Sequence, residues 1–289
     1  MLKRIALLAA VAATLVSFAG SAGAITGNYQ KDFTHDAVGL LVFYSTPDPV
    51  TGDPFSHRCS GTLISPTVMV TAGHCTEGVD TGRVYFAQSV APNYDPNAFG
   101  GLGGDPTTGY PYLNGVTFSV ADNYGFHNFE GYPNTRDVGV VELDQAVTPA
   151  NGFGILPEAG AVDRYVAEKL AGKGSKKDIR FTISGYGLSD QDPVPVSFRE
   201  RLQATSYLVN DQAGVTEFNL QTTANASQGK GGTCNGDSGG PVYFYGTNII
   251  AAVTSFGMNP QCKGLDFSYR LDRAPVLAWI NDPNRVDAG

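Results

Sequence analysis

The chain has 289 residues, 42% of them hydrophobic and only 16% charged, with 36 Gly and 17 Pro. That is a folded globular composition, and it excludes coil and collagen-like repeats. The formal net charge of −8, which becomes −10 when Lys3 and Arg4 of the first 24 residues are set aside, repels phosphate backbones and excludes nucleic acid as a partner.

Lys3 and Arg4 precede an apolar run from Ile5 to Phe18 and then the small residues Gly20, Ser21, Ala22, Gly23 and Ala24. This pattern predicts a signal peptide over residues 1–24, Ala-rich in a bacterial manner, with cleavage after Ala24 making Ile25 the new N-terminus. The apolar run is short for a bilayer span, and no run of about 18 apolar residues recurs downstream. The expected product is soluble and secreted, extracellular or periplasmic, with no membrane attachment after cleavage. In such an oxidising compartment cysteines pair more often than they bind metal. The four here show no C-x-x-C spacing and allow three connectivities. The nearest-neighbour choice joins Cys59 to Cys75 and Cys234 to Cys262, and sequence alone does not prove it.

Short apolar or alternating runs follow at Val38 to Tyr44, Thr62 to Ile64, Val68 to Thr71, Val138 to Leu143, Phe181 to Ser184, Val242 to Tyr245 and Ile249 to Thr254. Gly, Pro, Asn and Asp clusters separate them, a spacing that predicts an all-β sandwich or barrel. Ala91 to Gly115, with its run Gly100-Gly101-Leu102-Gly103-Gly104, reads as an exposed loop. Helical periodicity is confined to Val162 to Leu170 and to Ala274 to Ile280, where Val276, Leu277 and Ile280 share a face and Asp272 is the expected N-cap. The Lys173 to Lys177 cluster reads as a solvated turn, and the Asn225-Ala226-Ser227 sequon carries no weight for an exported bacterial chain.

Three segments carry chemistry: Thr71-Ala72-Gly73-His74-Cys75, Arg136-Asp137-Val138-Gly139-Val140-Val141 and Gly236-Asp237-Ser238-Gly239-Gly240-Pro241. A serine hydroxyl is a weak nucleophile at neutral pH and needs a base, which itself needs an orienting group. Ser238, His74 and Asp137 fill those roles in turn. Gly236 has no Cβ, so its N–H and that of Ser238 can converge on a developing oxyanion. The string around Ser238 also fits the G-x-S-x-G elbow of α/β-hydrolases, but that fold places its histidine after the nucleophile. Here His35, His57, His74 and His127 all precede Ser238, which rejects it. His35, His57 and His127 read as structural or solvent-facing.

The order His74, Asp137, Ser238, together with the Ser60-Gly61-Thr62-Leu63-Ile64 strand, the Thr254-Ser255-Phe256-Gly257 strand and a terminal helix with Trp279 and Ile280, resembles the trypsin and chymotrypsin family of serine peptidases. The resemblance implies an all-β fold of two packed antiparallel β-barrels with a short C-terminal helix. Residues 25–155 would form the first barrel, with His74 and Asp137. Residues 156–289 would form the second, with Ser238 and the specificity pocket. The resemblance supports the nearest-neighbour disulfides, Cys59 to Cys75 bracing the His74 loop and Cys234 to Cys262 tying the serine loop to a pocket wall. It implies a secreted endopeptidase acting through an acyl-enzyme, with no metal and no cofactor, a monomer whose partners are a polypeptide substrate and a protein inhibitor.

Two finer expectations follow from the resemblance. Asp237, beside the nucleophile, must be satisfied once buried, and the family uses a freshly cut α-ammonium for this. Ile25-Thr26-Gly27-Asn28 is similar to the family's start, so signal cleavage itself would free the Ile25 amine, with no separate propeptide. In the pocket, the position where an aspartate selects Lys and Arg falls on Gly232, while Asp266 stands where the family has a back-wall glycine. With Gly257 leaving the entrance open and Ser255, Phe256 and Gly257 along the substrate, cleavage after Arg or Lys with relaxed selectivity is expected. The alternatives are apolar or aromatic specificity, and a non-catalytic binding protein on the same fold.

Overall fold

A computed structural model describes residues 25–44, 55–79, 81–90, 115–172, 175, 178–189, 199–210, 215–225 and 229–286. The leader, nearly all of the Ala91 to Gly115 loop, the lysines of the Lys173 to Lys177 cluster, and Ala226 and Ser227 of the sequon lie outside the described residues. Among the described residues no helix is long and apolar enough to cross a membrane.

Strands β1 (Thr26–Gly27) and β2 (Tyr29–Lys31) open the described chain. A closed antiparallel barrel follows, made of β3 (Val38–Tyr44), β4 (Phe55–Leu63), β5 (Val68–Thr71), β6 (Thr81–Tyr85), β7 (Val116–Asn123) and β8 (Gly139–Leu143), in the order β3-β4-β5-β8-β7-β6. The second barrel comprises β9 (Arg180–Gly185), β10 (Leu202–Asn210), β11 (Asn219–Ala224), β13 (Pro241–Phe244), β14 (Ile250–Gly257) and β15 (Gly264–Arg270), closed by the β10–β11 pairing. Between β11 and β13 lies β12 (Gly231–Gly232), which pairs with β1, while β2 pairs with β10. The strands at residues 26–31 are thus stitched to the second half of the chain before the first barrel begins.

The first apolar run shows how the barrels meet. Every residue of β3 from Val38 to Phe43 is buried, which an ordinary half-exposed strand would not permit. Its two faces divide at period two. Leu41 and Phe43 enter the first barrel's core with Leu63, Met69 and Phe118. Val38, Leu40 and Val42 pack outward against Tyr186, Tyr243 and Val253 of the second barrel. At about 1.5–3 kcal/mol per fully buried aliphatic side chain, this shared layer fixes one barrel on the other. The second barrel has a separate interior around Ile183, Phe181, Leu220 and Val242.

The two sequence-read helices form at Ala161–Ala171 and Ala274–Ile280. The expected cap does not. Asp272 makes no capping bond to the C-terminal helix, whose N-cap residue is Arg273. Its carboxylate instead accepts from Val162 N (2.9 Å), in the first turn of the other helix, and from Arg270 Nε and Nη2 (2.8 Å each). A buried guanidinium beside a carboxylate outcompetes a lone amide for it, and only the folded chain brings Arg270 and Val162 to Asp272.

Candidate active site

His74 sits in a single helical turn, Gly73–Thr76, immediately after β5. The next residue, Cys75, is bridged to Cys59 of β4 (Cα–Cα 6.3 Å), which ties this turn to the barrel wall. Asp137 is fully buried at the entry to β8. One of its oxygens accepts the His74 backbone N–H at 2.8 Å, and the carboxylate meets His74 Nδ1 at 2.9 and 3.1 Å. Nδ1 therefore carries the proton toward Asp137, and Nε2 is left as the basic nitrogen. Burial disfavours the charged ring of His74, but the Asp137 charge, its hydrogen bond and the Glu77 charge together outweigh it and hold the imidazolium above its ordinary range. Burial likewise pushes the Asp137 carboxyl up, and the His74 charge and hydrogen bonds bring it net below the usual value.

The second barrel takes part in holding that carboxylate. Ser255 Oγ donates a short hydrogen bond to Asp137 Oδ2. Tyr269 OH donates to Asn134 Oδ1 at 2.6 Å, and Asn219 Nδ2 donates to the Pro133 carbonyl. The segment before Asp137 is thereby anchored across the inter-barrel boundary. Sequence reasoning placed Ser255 along the substrate and did not find this contact, because nothing in the spacing of residues 137 and 255 announces it.

The serine turn docks on the first barrel on both sides of Ser238. Ser60 N, in β4, donates to the Ser238 carbonyl at 2.8 Å. Gly239, at φ +75°, lies so close to β5 that a Cβ there would stand 2.0 Å from Thr71 Oγ1 and 2.6 Å from Ala72 N, two residues before His74. Only glycine permits both the dihedral and the approach. Ser238 itself is half-buried, and its Oγ makes no hydrogen bond to His74 among the described residues; such contacts commonly tighten only when substrate is bound.

The backbone donors of this turn divide in a telling way. Asp237 N, Gly239 N and Gly240 N are committed to Cys234 O (2.9 Å), Thr254 O (2.7 Å) and Asp237 O (2.8 Å). The N–H groups of Gly236 and Ser238 make no hydrogen bond among the described residues. Gly236 adopts φ +95°, and its carbonyl is held by Ser60 Oγ at 2.9 Å. A pair of uncommitted donors flanking one residue, on a turn fixed from both sides, is suited to receive a developing oxyanion.

Asp237 is fully buried. Its oxygens accept from Gly187 N (2.8 Å) and Cys234 N (2.9 Å), and the Ile25 nitrogen adds a third donor. Burial outweighs these and pushes the carboxyl up to about 7. Ile25 is itself fully buried, at φ +65°. The structure thus brings the Ile25 backbone nitrogen to the Asp237 carboxylate.

Beside Ser238 lies a cavity of about 110 Å³, walled by Thr233 to Asn235, Thr254 to Gly257, Asn259, Pro260 and Cys262. The Cys234–Cys262 bridge closes one side (Cα–Cα 5.1 Å). Gly232 and Asp266 stand behind this wall. Asp266 Oδ2 accepts Thr233 N at 2.6 Å, and a Cβ on Gly232 would lie 3.0 Å from that oxygen and 2.3 Å from Ala224 Cα. A Cβ on Gly257 would lie 3.7 Å from the other oxygen. Burial pushes the Asp266 carboxyl up to about 7, and the Asp237 charge adds to the shift. Above the cavity runs an aromatic wall that sequence reasoning did not single out. Phe129 lies 5.6 Å from the His74 ring and 5.2 Å from Phe256, and Tyr132 stands edge-on to Phe256 and Phe267. Both Phe129 (41%) and Tyr132 (43%) keep part of their rings exposed while packed on their aromatic neighbours.

The remaining histidines are structural or exposed. His57 Nε2 bonds the Cys75 carbonyl (2.8 Å) and its ring stacks on Phe43; burial and the neighbouring His74 disfavour its charged form, against the pull of that carbonyl. His35 pairs with Asp32 (2.8 Å), and His127 is exposed. Among the described residues the single cluster with metal-ligand proximity, Cys59, His74 and Cys75, has both thiols consumed in a disulfide.

Comparison with known proteins agrees with this geometry. The profile of the family described as Trypsin matches residues 42–280. Chymotrypsin-C of Bos taurus is 23% identical over 285 residues, covering 93% of this chain and 95% of the relative. Brachyurin of Leptuca pugilator is 28% identical over 210 residues, covering 71% and 78%. Among solved structures, HL collagenase superposes with a TM-score of 0.59 at 19% identity, covering 85% of this chain and 94% of that one. Human heparin binding protein gives 0.59 at 17%, covering 91% and 100%; both share the fold. The relatives are animal proteins and do not bear out the bacterial character read from the leader.

Proposed function

The chain belongs to the trypsin family of serine peptidases, and from that premise we propose that it is a secreted endopeptidase that hydrolyses peptide bonds through an acyl-enzyme on Ser238. The observation that carries this reading is the division of donors around Ser238, set against a His74–Asp137 pair already locked in the productive tautomer. His74 Nε2 takes the Ser238 proton as Oγ forms a bond to the scissile carbonyl carbon. The carbonyl oxygen gains charge and is received by the Gly236 and Ser238 N–H groups. The C–N bond then breaks, the amine leaves with the proton from His74, and water repeats the sequence on the ester to release the acid. Asp137 stays ionised throughout and stabilises the imidazolium.

Substrate would lie extended along Ser255 to Gly257, with its side chain before the scissile bond in the cavity beside Ser238. Cleavage after Arg or Lys with relaxed selectivity is supported by Asp266, whose carboxylate lies between Gly232 and Gly257 behind the cavity wall. Its position off the floor, covered by Thr233, accounts for the relaxation. Maturation by a single cut after Ala24 is supported by the burial of Ile25 against Asp237.

The test is labelling by a serine-directed fluorophosphonate together with hydrolysis of Arg, Phe and Ala peptide anilides. The cleaved protein should be labelled at Ser238, lose labelling in His74→Ala, and prefer the Arg anilide. Absence of labelling would point to a binding protein on this fold, and preference for Phe would transfer specificity to the aromatic wall.

A further inference from the structure

A second cavity, of about 540 Å³, opens away from the catalytic residues, where β2 crosses the second barrel. Its size lies within the ~300–1,000 Å³ of small-ligand sites. Its chemistry is unusual for a chain of net charge −8: none of its lining residues is Lys, Arg, Asp or Glu. Three residues with side-chain amides, Gln30, Gln203 and Asn248, line it together with threonines and Tyr245, while the Asn28 amide donates to the Lys230 carbonyl (3.1 Å) and Tyr29 packs against the second barrel's interior. Amides and hydroxyls both donate and accept. Tyr245 is 43% exposed, and the Arg180 guanidinium sits 4.2 Å from its ring centre, leaving the ring held in place as a platform.

One lining group is fixed with particular care. His35 Nδ1 is bound to Asp32 Oδ2 at 2.8 Å, and its ring stacks on Tyr243 at 4.6 Å. Asp32 is completely buried and is held in turn by Ser184 Oγ (2.7 Å) and by the backbone N–H groups of Thr34 and His35. This arrangement sets the tautomer and leaves Nε2 as the ring nitrogen with no partner among the described residues. The catalytic reading uses none of these groups.

We propose that this cavity binds a neutral, hydroxyl-rich ligand, a short oligosaccharide without charged substituents. Vicinal hydroxyls of a sugar donate and accept at once, as the amides and His35 Nε2 require, and a pyranose face can lie on an aromatic platform. The chain's net negative charge disfavours sulfated or phosphorylated glycans, and the heparin probe below tests whether the Arg180 guanidinium on the Tyr245 ring reverses that. An extended peptide finds no open ladder on β10, which from Leu202 to Ala204 is paired by β9 and by β2; the free edge of the sheet is β2, and the peptide probe below tests it.

The test uses the cleaved protein carrying Ser238→Ala, so that it does not depend on catalysis. Cellotriose, maltotriose and chitotriose are titrated by saturation-transfer NMR and calorimetry, with a heparin tetrasaccharide and a Gly-Ser octapeptide as comparisons. At least one neutral trisaccharide should bind with Kd below about 10 mM, and Gln203→Ala and Asn248→Ala, with melting temperatures unchanged, should each weaken it by about tenfold or more. The proposal is overturned if no neutral trisaccharide binds at that concentration, if binding survives both substitutions, or if the heparin or peptide probe occupies the site instead.

Discussion

Leaving Ala24 attached to Ile25 should abolish activity and change how stability depends on pH. While Ala24 precedes it, the Ile25 nitrogen is a neutral amide, and Asp237 is faced by neutral N–H donors and the weaker pull of the Arg58 charge. Under those conditions burial pushes its carboxyl from 3.8 to about 7. A carboxyl whose folded pKa is raised favours the folded state at pH below its unfolded value, and that contribution is lost as pH rises through the folded value. A gap of about 3 units at ~1.36 kcal/mol each sets a ceiling of about 4 kcal/mol lost between about pH 4 and about pH 8. The uncut chain also keeps a β-branched residue at φ +65°, a strain of order 1–3 kcal/mol that exists only while the preceding peptide bond does. Cleavage removes the strain and replaces the amide with an ammonium, which draws Asp237 back down and should flatten the pH dependence until the amine itself deprotonates. Urea unfolding at several pH values, on Ser238→Ala chains beginning at Ala24 and at Ile25, measures the difference. The matching active chains give the anilide rates. Equal pH slopes together with full activity in the extended chain would refute the activation argument.

Four other outcomes are expected. Ser255→Ala removes a hydrogen bond to a charged, fully buried carboxylate, worth about 1.5–3 kcal/mol; kcat should fall roughly tenfold to a hundredfold with KM little changed, read from steady-state kinetics. Because Asp137 holds the imidazolium of His74 above its ordinary range, and the base must be neutral, the acid limb of kcat/KM should fall at a pH above the ordinary value of 6.5 and move down in Asp137→Asn. Asp266, raised to about 7, must ionise to meet a cation, so KM for the Arg anilide should fall as pH rises through that value, and Asp266→Asn should erase both the trend and the preference. Removing the Cys59–Cys75 bridge, which spans 16 residues, should lower stability by ~3 kcal/mol on the chain-entropy account, measured by urea unfolding with both cysteines replaced by serine.

The sequence by itself carried the class of the fold, because alternating apolar runs broken by Gly and Pro require strands wherever they are placed, and β3 and β5 occupy the residues that the pattern marked. It also named His74, Asp137 and Ser238, since reactive side chains inside glycine-rich or cysteine-linked turns are legible without a partner in view. Contacts between distant segments were decided only when the barrels docked. Asp272 was read locally as a cap, but Arg270 and Val162 claim it in three dimensions. The role of Ser255 toward Asp137, the aromatic wall of Phe129 and Tyr132, and the uncharged cavity around His35 belong to the same kind. Local sequence fixes what a residue can donate or accept; which partner it meets depends on the relative placement of two separately cored barrels, and that placement is set by packing across a shared layer such as Val38, Leu40 and Val42, which no local pattern encodes.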